Sequence, residues 1–189
     1  GKVNVTYNVI DAKQGTTAAT SQFNLAAVND IPTLTGTKTD FTSAALTGTE
    51  DTQYDISKQQ LLAGYTDADG DAMSILGLSA TNGVITADGE DYKFTPNPDF
   101  NTDIANITLN YVISDGKGGN QLVSNTLKIE AVNDKPVRTA GNVGTLFLIE
   151  DAPLTSMGLD EVSYSVGGGS DESGQTLSYT VDLVPDATT

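Results

Sequence analysis

The chain has 189 residues, 25 acidic against 9 basic, with a formal charge of −16 and no Cys, His or Trp. Those absences remove ordinary zinc sites, thiol nucleophiles, disulfides and an imidazole base. So acidic a surface repels nucleic acid and anionic membranes and attracts metal cations. Abundant Thr with 19 Gly and many short apolar alternations describe a β-rich protein, since Thr, Val, Ile and Tyr suit a half-buried pleated surface and Gly, Asn and Asp supply turns.

The chain opens at Gly1 with no Met and no signal-like segment, so it reads as a piece of something longer. No apolar run of about 18 residues is present to span a membrane. The first feature is Val3-Asn-Val-Thr-Tyr7-Asn-Val-Ile-Asp11-Ala-Lys13-Gln-Gly15, a strand running into a turn. It returns 104 positions later as Ile107-Thr-Leu-Asn-Tyr111-Val-Ile-Ser-Asp115-Gly-Lys117-Gly-Gly119. Val28-Asn29-Asp30-Ile31-Pro32 returns at the same offset as Val132-Asn133-Asp134-Lys135-Pro136. Glu50-Asp51 matches Glu150-Asp151 with a four-residue deletion, and Asp67-Ala-Asp69-Gly70-Asp71 matches Asp171-Glu-Ser173-Gly174-Gln175, again 104 apart. One offset shared by three separate motifs indicates a tandem array. It is cut out of phase: 1–30 are the last two strands of one unit, 31–134 a complete unit, and 135–189 the opening of a third, divergent one.

Within the complete unit, Ser57 and Gln60 make a capping box that predicts one helical turn over 57–62, and nothing else looks helical. Val84, Thr86 and Tyr92, Phe94 predict two strands around an Asp88-Gly89 turn. Ile107, Leu109, Tyr111, Ile113 and Leu122, Leu127, Ile129 predict a long closing hairpin through Asp115–Gly119. A unit of about 104 residues is an ordinary size for a β-sandwich.

Among candidate sites, Asp67, Asp69 and Asp71 form the densest acidic cluster. Carboxylates at alternate positions of a turn can aim oxygens at one hard cation such as calcium. The pattern is not an EF-hand loop, which needs Gly and Glu where Ala72 and Leu78 stand. A plain Asp/Gly turn accounts for the same residues. Asn29-Asp30 and Asn133-Asp134 fall at the joints, where a following Pro stiffens the chain, although an Asn/Asp turn before a strand reads the same way. Gly167-Gly-Gly-Ser-Asp171 lacks the Lys and helix of a phosphate loop and reads as a flexible loop. Asn4-Val-Thr6 and Asn106-Ile-Thr108 fit the glycosylation triplet but fall on expected strands. No spacing of Ser, Asp and Lys pairs a nucleophile with a base, so an enzyme is not expected.

Together these motifs carry a resemblance. Glu-Asp near the start of a unit, Asp-Ala-Asp-Gly-Asp, Phe94-Thr-Pro-Asn97 with Phe100-Asn101, the Ser-Asp-Gly…Gly-Gly hairpin and the closing Val-Asn-Asp-x-Pro resemble the bacterial cadherin-like tandem repeat. Such repeats build the stalks of giant surface adhesins of the RTX type. The resemblance implies an all-β fold of tandem immunoglobulin- or cadherin-like sandwiches with Ca2+ between successive units. By position it implies Asn29, Asp30, Asp67, Asp69, Asp71 and Asp115 at the first joint. At the second it implies Glu50, Asn133, Asp134 and Asp171, with Asp99 or Asp103 as a further candidate. Ser173 and Gln175 depart from the pattern, standing where the other copy has Asp.

Elementary electrostatics points the same way, because two carboxylates about 5 Å apart repel by about 3 kcal/mol at an effective dielectric near 20. Several at one joint need a cation, and an ion bound there couples the neighbouring units. The expectation is a calcium-rigidified structural extension module of a secreted bacterial surface adhesin. Its partners are the neighbouring repeats of its own polypeptide, with cell-surface glycan or protein ligands reached through other domains. The competing expectation is a glycan- or peptide-binding module of the same adhesin, which the 135–189 unit could begin.

Overall fold

A computed structural model of the protein describes residues 1–142, 144, 147, 150–151 and 158–182. The parts of the expected third unit at the remaining positions lie outside the described residues. Strands β1 (Lys2–Ile10) and β2 (Thr16–Asn24) form an antiparallel hairpin. There follow β3 (Thr33–Leu34), β4 (Gly48–Thr49), β5 (Tyr54–Ile56), helix α1 (Lys58–Leu62) and β6 (Tyr65–Thr66). Next come β7 (Ser74–Ala80), β8 (Gly83–Asp88), β9 (Asp91–Pro96), β10 (Ile107–Ser114), β11 (Asn120–Leu127) and β12 (Ile129–Glu130). Beyond them β13 (Val137–Ala140) pairs antiparallel with β14 (Ser163–Ser165).

The central strands make two three-stranded sheets, ordered β5-β9-β8 and β11-β10-β7. Parallel pairing of β12 with β4 and antiparallel pairing of β3 with β6 close the ends. Between the sheets lie Phe41, Ile56, Leu61 and Phe94 with Ile107, Leu109, Tyr111, Ile113, Val123, Leu127 and Ile129. Each such side chain contributes about 1.5–3 kcal/mol when taken out of water. This all-β sandwich of about a hundred residues is the architecture expected from the alternation.

Local signals explain the details. Ser57 Oγ accepts the Gln60 N–H at 3.1 Å while Gln60 Oε1 accepts the Ser57 N–H at 2.8 Å, so the capping box starts α1 as expected. β8 and β9 meet at a two-residue turn between Asp88 and Asp91, where Gly89 has φ +66°. Leu122 corrects the hairpin reading: it is 79 % exposed, and the inward positions of β11 are Val123, Asn125 and Leu127. The inward Asn125 serves Tyr111, whose buried hydroxyl accepts from Asn125 Nδ2 at 3.1 Å and donates to the Leu61 carbonyl at 2.8 Å. The helix expectation is corrected as well. Single 3₁₀ turns occur at Leu159–Glu161 and Asp171–Gly174.

The two long hairpins share one register. Every pair of β1 and β2 from Val3↔Phe23 to Ile10↔Thr16 reappears in β10 and β11, from Ile107↔Leu127 to Ser114↔Asn120. Their turns also share hydrogen bonds. Asp11 Oδ1 accepts the N–H groups of Lys13 and Gly15 at 2.9 and 2.7 Å, and Asp115 Oδ1 accepts those of Lys117 and Gly119 at 2.7 and 2.9 Å. A Cβ on Gly119 would overlap the Asp115 carboxylate, so this close approach requires glycine. On β1 the residues matching the buried Leu109, Tyr111 and Ile113 are the exposed Val5, Tyr7 and Val9.

Candidate metal centres at two acidic clusters

The first expected joint is built on the Asp67–Asp71 turn. Asp67 Oδ1 accepts the N–H groups of Asp69 at 2.9 Å and Asp71 at 3.1 Å, folding the loop around its own first carboxylate. The linker then docks. The Asp30 N–H donates to Asp69 Oδ2 at 2.8 Å, and Asn29 Nδ2 donates to Asp115 Oδ2 at 2.6 Å. Asp30, Asp67, Asp69 and Asp71 thereby form one hydrogen-bonded set and Asn29 with Asp115 a second, the two joined through the Asn29–Asp30 peptide. That amide from Asn29, with the N–H groups of the hairpin turn, holds the Asp115 carboxyl below its ordinary pKa.

Carboxylate oxygens of Asp67, Asp69 and Asp71 lie within 4.8 Å of one another. Asp67 Oδ2 and Asp71 Oδ2 are buried with no hydrogen-bond partner. Buried acceptors are normally satisfied, so two unpaired ones within this carboxylate group are the environment of a cation ligand. Their oxygen chemistry fits a hard divalent ion.

The second joint uses different residues. Glu50 is buried, with Oε1 accepting the Val132 N–H at 2.6 Å and Oε2 accepting Asn101 Nδ2 at 3.1 Å. Its neighbour Asp51, at φ +57°, accepts the Asp99 N–H at 3.1 Å. Asp51, Asp99 and Asp134 place carboxylate oxygens within 4.8 Å of one another. Partial burial raises the Asp99 pKa, and the negative charges of Asp51, Asp134 and Asp171 add to the shift.

From the downstream side, buried Glu172 accepts the Asp134 N–H at 3.1 Å. Gln175 Nε2 donates to Asn133 Oδ1 at 2.9 Å and also to Glu172. The triple-glycine segment packs here: a Cβ on Gly168 would overlap the Asp99 carboxylate, and one on Gly167 would lie 2.7 Å from Asp134 Cβ. Gly167–Gly169 therefore let the backbone approach the acidic cluster closely, a role the flexible-loop reading did not include.

Among the second-joint candidates, Asp99 and Asp134 come together and Asn133 is tied to Gln175. Asp171 acts on Asp99 by its charge and stands outside the three-carboxylate group. Asp103 is exposed and donates its N–H to Asn101 Oδ1, shaping the turn beneath Glu50. Sequence reasoning missed Asp51 and Glu172. The repeated Glu-Asp pair was the available signal for Asp51, and Glu172 stands one position before Ser173, the match for Asp69.

A scan against protein families matches the cadherin-like domain over residues 28–130, more than half the chain. The chain belongs to the cadherin-like domain family. Comparison with curated proteins and with solved structures finds no match. Members of the cadherin-like family are typically non-enzymatic structural or adhesion modules found outside the cell, and they generally bind Ca2+. Among the described residues no helix is long and apolar enough to cross a membrane. The matched stretch includes the first linker, the Asp67–Asp71 loop and the Asp115 hairpin, and it ends before Asn133-Asp134.

Proposed function

We propose that this cadherin-like chain is a calcium-rigidified extension module of a bacterial cell-surface adhesin, holding distal ligand-binding domains away from the cell. The observation that carries the reading is the first joint. There the linker binds directly, through the Asp30 N–H and the Asn29 amide, to acidic side chains whose neighbours leave two buried oxygens unpaired. Asn29, Asp30, Asp67, Asp69, Asp71 and Asp115 would hold one ion set. Asp51, Asp99 and Asp134, with Glu50 and Glu172 behind them, would hold another.

The chain's own residues already fix each linker backbone. Calcium would supply the positive charge that makes the converging carboxylates attractive instead of repulsive, and the joint would stiffen. The shared register and turn bonds of the two hairpins support a tandem array, in which the partners are neighbouring repeats of the same polypeptide. Membership of the cadherin-like family supports an extracellular setting, where divalent cations are plentiful.

Calorimetric calcium titration of the whole chain tests this, paired with thermal melts in calcium and in chelator. Saturable binding with a rise in melting temperature is expected. Absence of both overturns the reading.

A further inference from the structure

We propose that Lys117 is a tethered counter-cation that competes with the divalent ion for the Asp67–Asp69–Asp71 loop, setting how much calcium the first joint needs before it stiffens. This rests on the calcium reading of that joint and assigns a regulator to it.

Lys117 Nζ stands 2.5 Å from Asp71 Oδ1. The Asp71 side chain is 13 % exposed and that of Lys117 62 % exposed, so the ammonium reaches into the acidic cluster from solvent on a stem free to swing away. It satisfies one oxygen of Asp71 and leaves Asp71 Oδ2 buried and unpartnered, as is Asp67 Oδ2. One ammonium therefore compensates the cluster in part. A divalent ion taking those same carboxylates would meet a like charge beside it, and must either displace the ammonium or bind less tightly. Calcium affinity follows the net ligand charge, and Lys117 subtracts from it.

Two further observations separate the side chain from the scaffold. The Lys117 backbone N–H makes the turn-forming bond to Asp115 Oδ1, and Gly116 and Gly118 on either side supply the positive φ values, +74° and +108°. The turn thus needs the Lys117 backbone and not its ammonium. The other hairpin also carries a lysine at this place, Lys13, with the same N–H bond to Asp11. A lysine at this turn position thus occurs in both hairpins.

The test uses the whole chain as wild type, Lys117→Met and Lys117→Arg, with calorimetric calcium titration and thermal melts in chelator and in calcium. Lys117→Met should bind about tenfold tighter at the first joint. It should melt lower than wild type in chelator, where the carboxylates lose their counter-charge, and should gain more from calcium. Lys117→Arg should resemble wild type. Calcium binding by wild type with unchanged or weaker binding by Lys117→Met overturns the inference alone. No binding by either protein overturns the calcium reading and this inference together.

Discussion

Glu50 and Glu172 accept N–H groups two residues apart in one segment: Glu50 Oε1 accepts the Val132 N–H at 2.6 Å, and Glu172 Oε1 accepts the Asp134 N–H at 3.1 Å. Both carboxylates are buried, one reaching from the central unit and the other from beyond the linker. Removing Glu50 leaves the Val132 N–H and the Asn101 amide without their acceptor inside the unit. Glu50→Ala should therefore cost about 1–3 kcal/mol in urea denaturation. Glu172→Ala should leave the denaturation midpoint of the central unit unchanged while amide exchange at Asp134 accelerates. Equal loss of global stability in both variants would contradict this division.

Ion binding at the joints should also change shape. Small-angle scattering in millimolar calcium should show a larger maximum dimension and a narrower distribution than in chelator, because joints with neutralised carboxylates hold their neighbours at fixed angles. Superimposable profiles would separate binding from stiffening and sink the extension mechanism.

Gly168 carries a steric prediction. The backbone passes so close to Asp99 that a methyl group there must displace the Asp99 carboxylate or the loop itself. Gly168→Ala should turn the Asp99 carboxylate out of the Asp51–Asp99–Asp134 cluster or push residues 167–169 away from it, and either weakens any ion held there, with the central unit's stability untouched. Chemical shift changes confined to Asp99, Asp134 and the glycine segment are expected. Changes spreading into Phe94 or Ile107 would show that the loop supports the core instead.

The acid response should differ between the two joints. The Asp115 pKa is depressed in the folded chain, chiefly by the Asn29 amide. Its stabilising contribution is present above the unfolded pKa and is lost as pH falls through the lower folded value. Asp99 is the reverse case, with its pKa raised by burial and then by Asp51 and Asp134. Its contribution is complete below the unfolded pKa and is lost as pH rises through the raised folded value. In chelator at neutral pH, Asp115→Asn should lower stability and Asp99→Asn should raise it, and both differences should fade in acid. Opposite signs at neutral pH would refute the assignment.

What the sequence made legible follows the range of the interactions. The α1 capping box and the Asp88–Asp91 turn are local, so their residues announce them. The inward face of β11 was misread because Asn125 interrupts its apolar alternation. That asparagine is there for the Tyr111 hydroxyl on the facing strand, a partner no local pattern records. Strands as short as β3, β4, β6 and β12 hold two residues each and give no alternation to read. At the sites, a constant offset carried positions but not reach. It pointed from Asp69 to Ser173, whereas the longer Glu172 side chain receives the second linker's N–H.

The two acidic clusters should therefore titrate as separate sites of unequal strength. The first combines Asp67, Asp69 and Asp71 with two buried unpaired oxygens, and Asn29 and Asp115 are bonded to each other beside it. The second has Asp51, Asp99 and Asp134, and among their described oxygens none is both buried and unpaired. An oxygen already out of water and without a donor loses least by taking a cation, and calcium affinity follows the charge and rigidity of the ligand set. The first joint should bind more tightly. Asp67→Asn should abolish the tighter calorimetric transition and leave the weaker one, while Asp99→Asn should do the opposite. Asp171→Ala should weaken neither by more than about threefold, since a single charge outside the ligand group acts only through partly screened Coulomb forces. If Asp99→Asn removes the tighter transition and Asp67→Asn leaves it, the order of the joints is reversed, and unpaired buried oxygens are a poor guide to affinity.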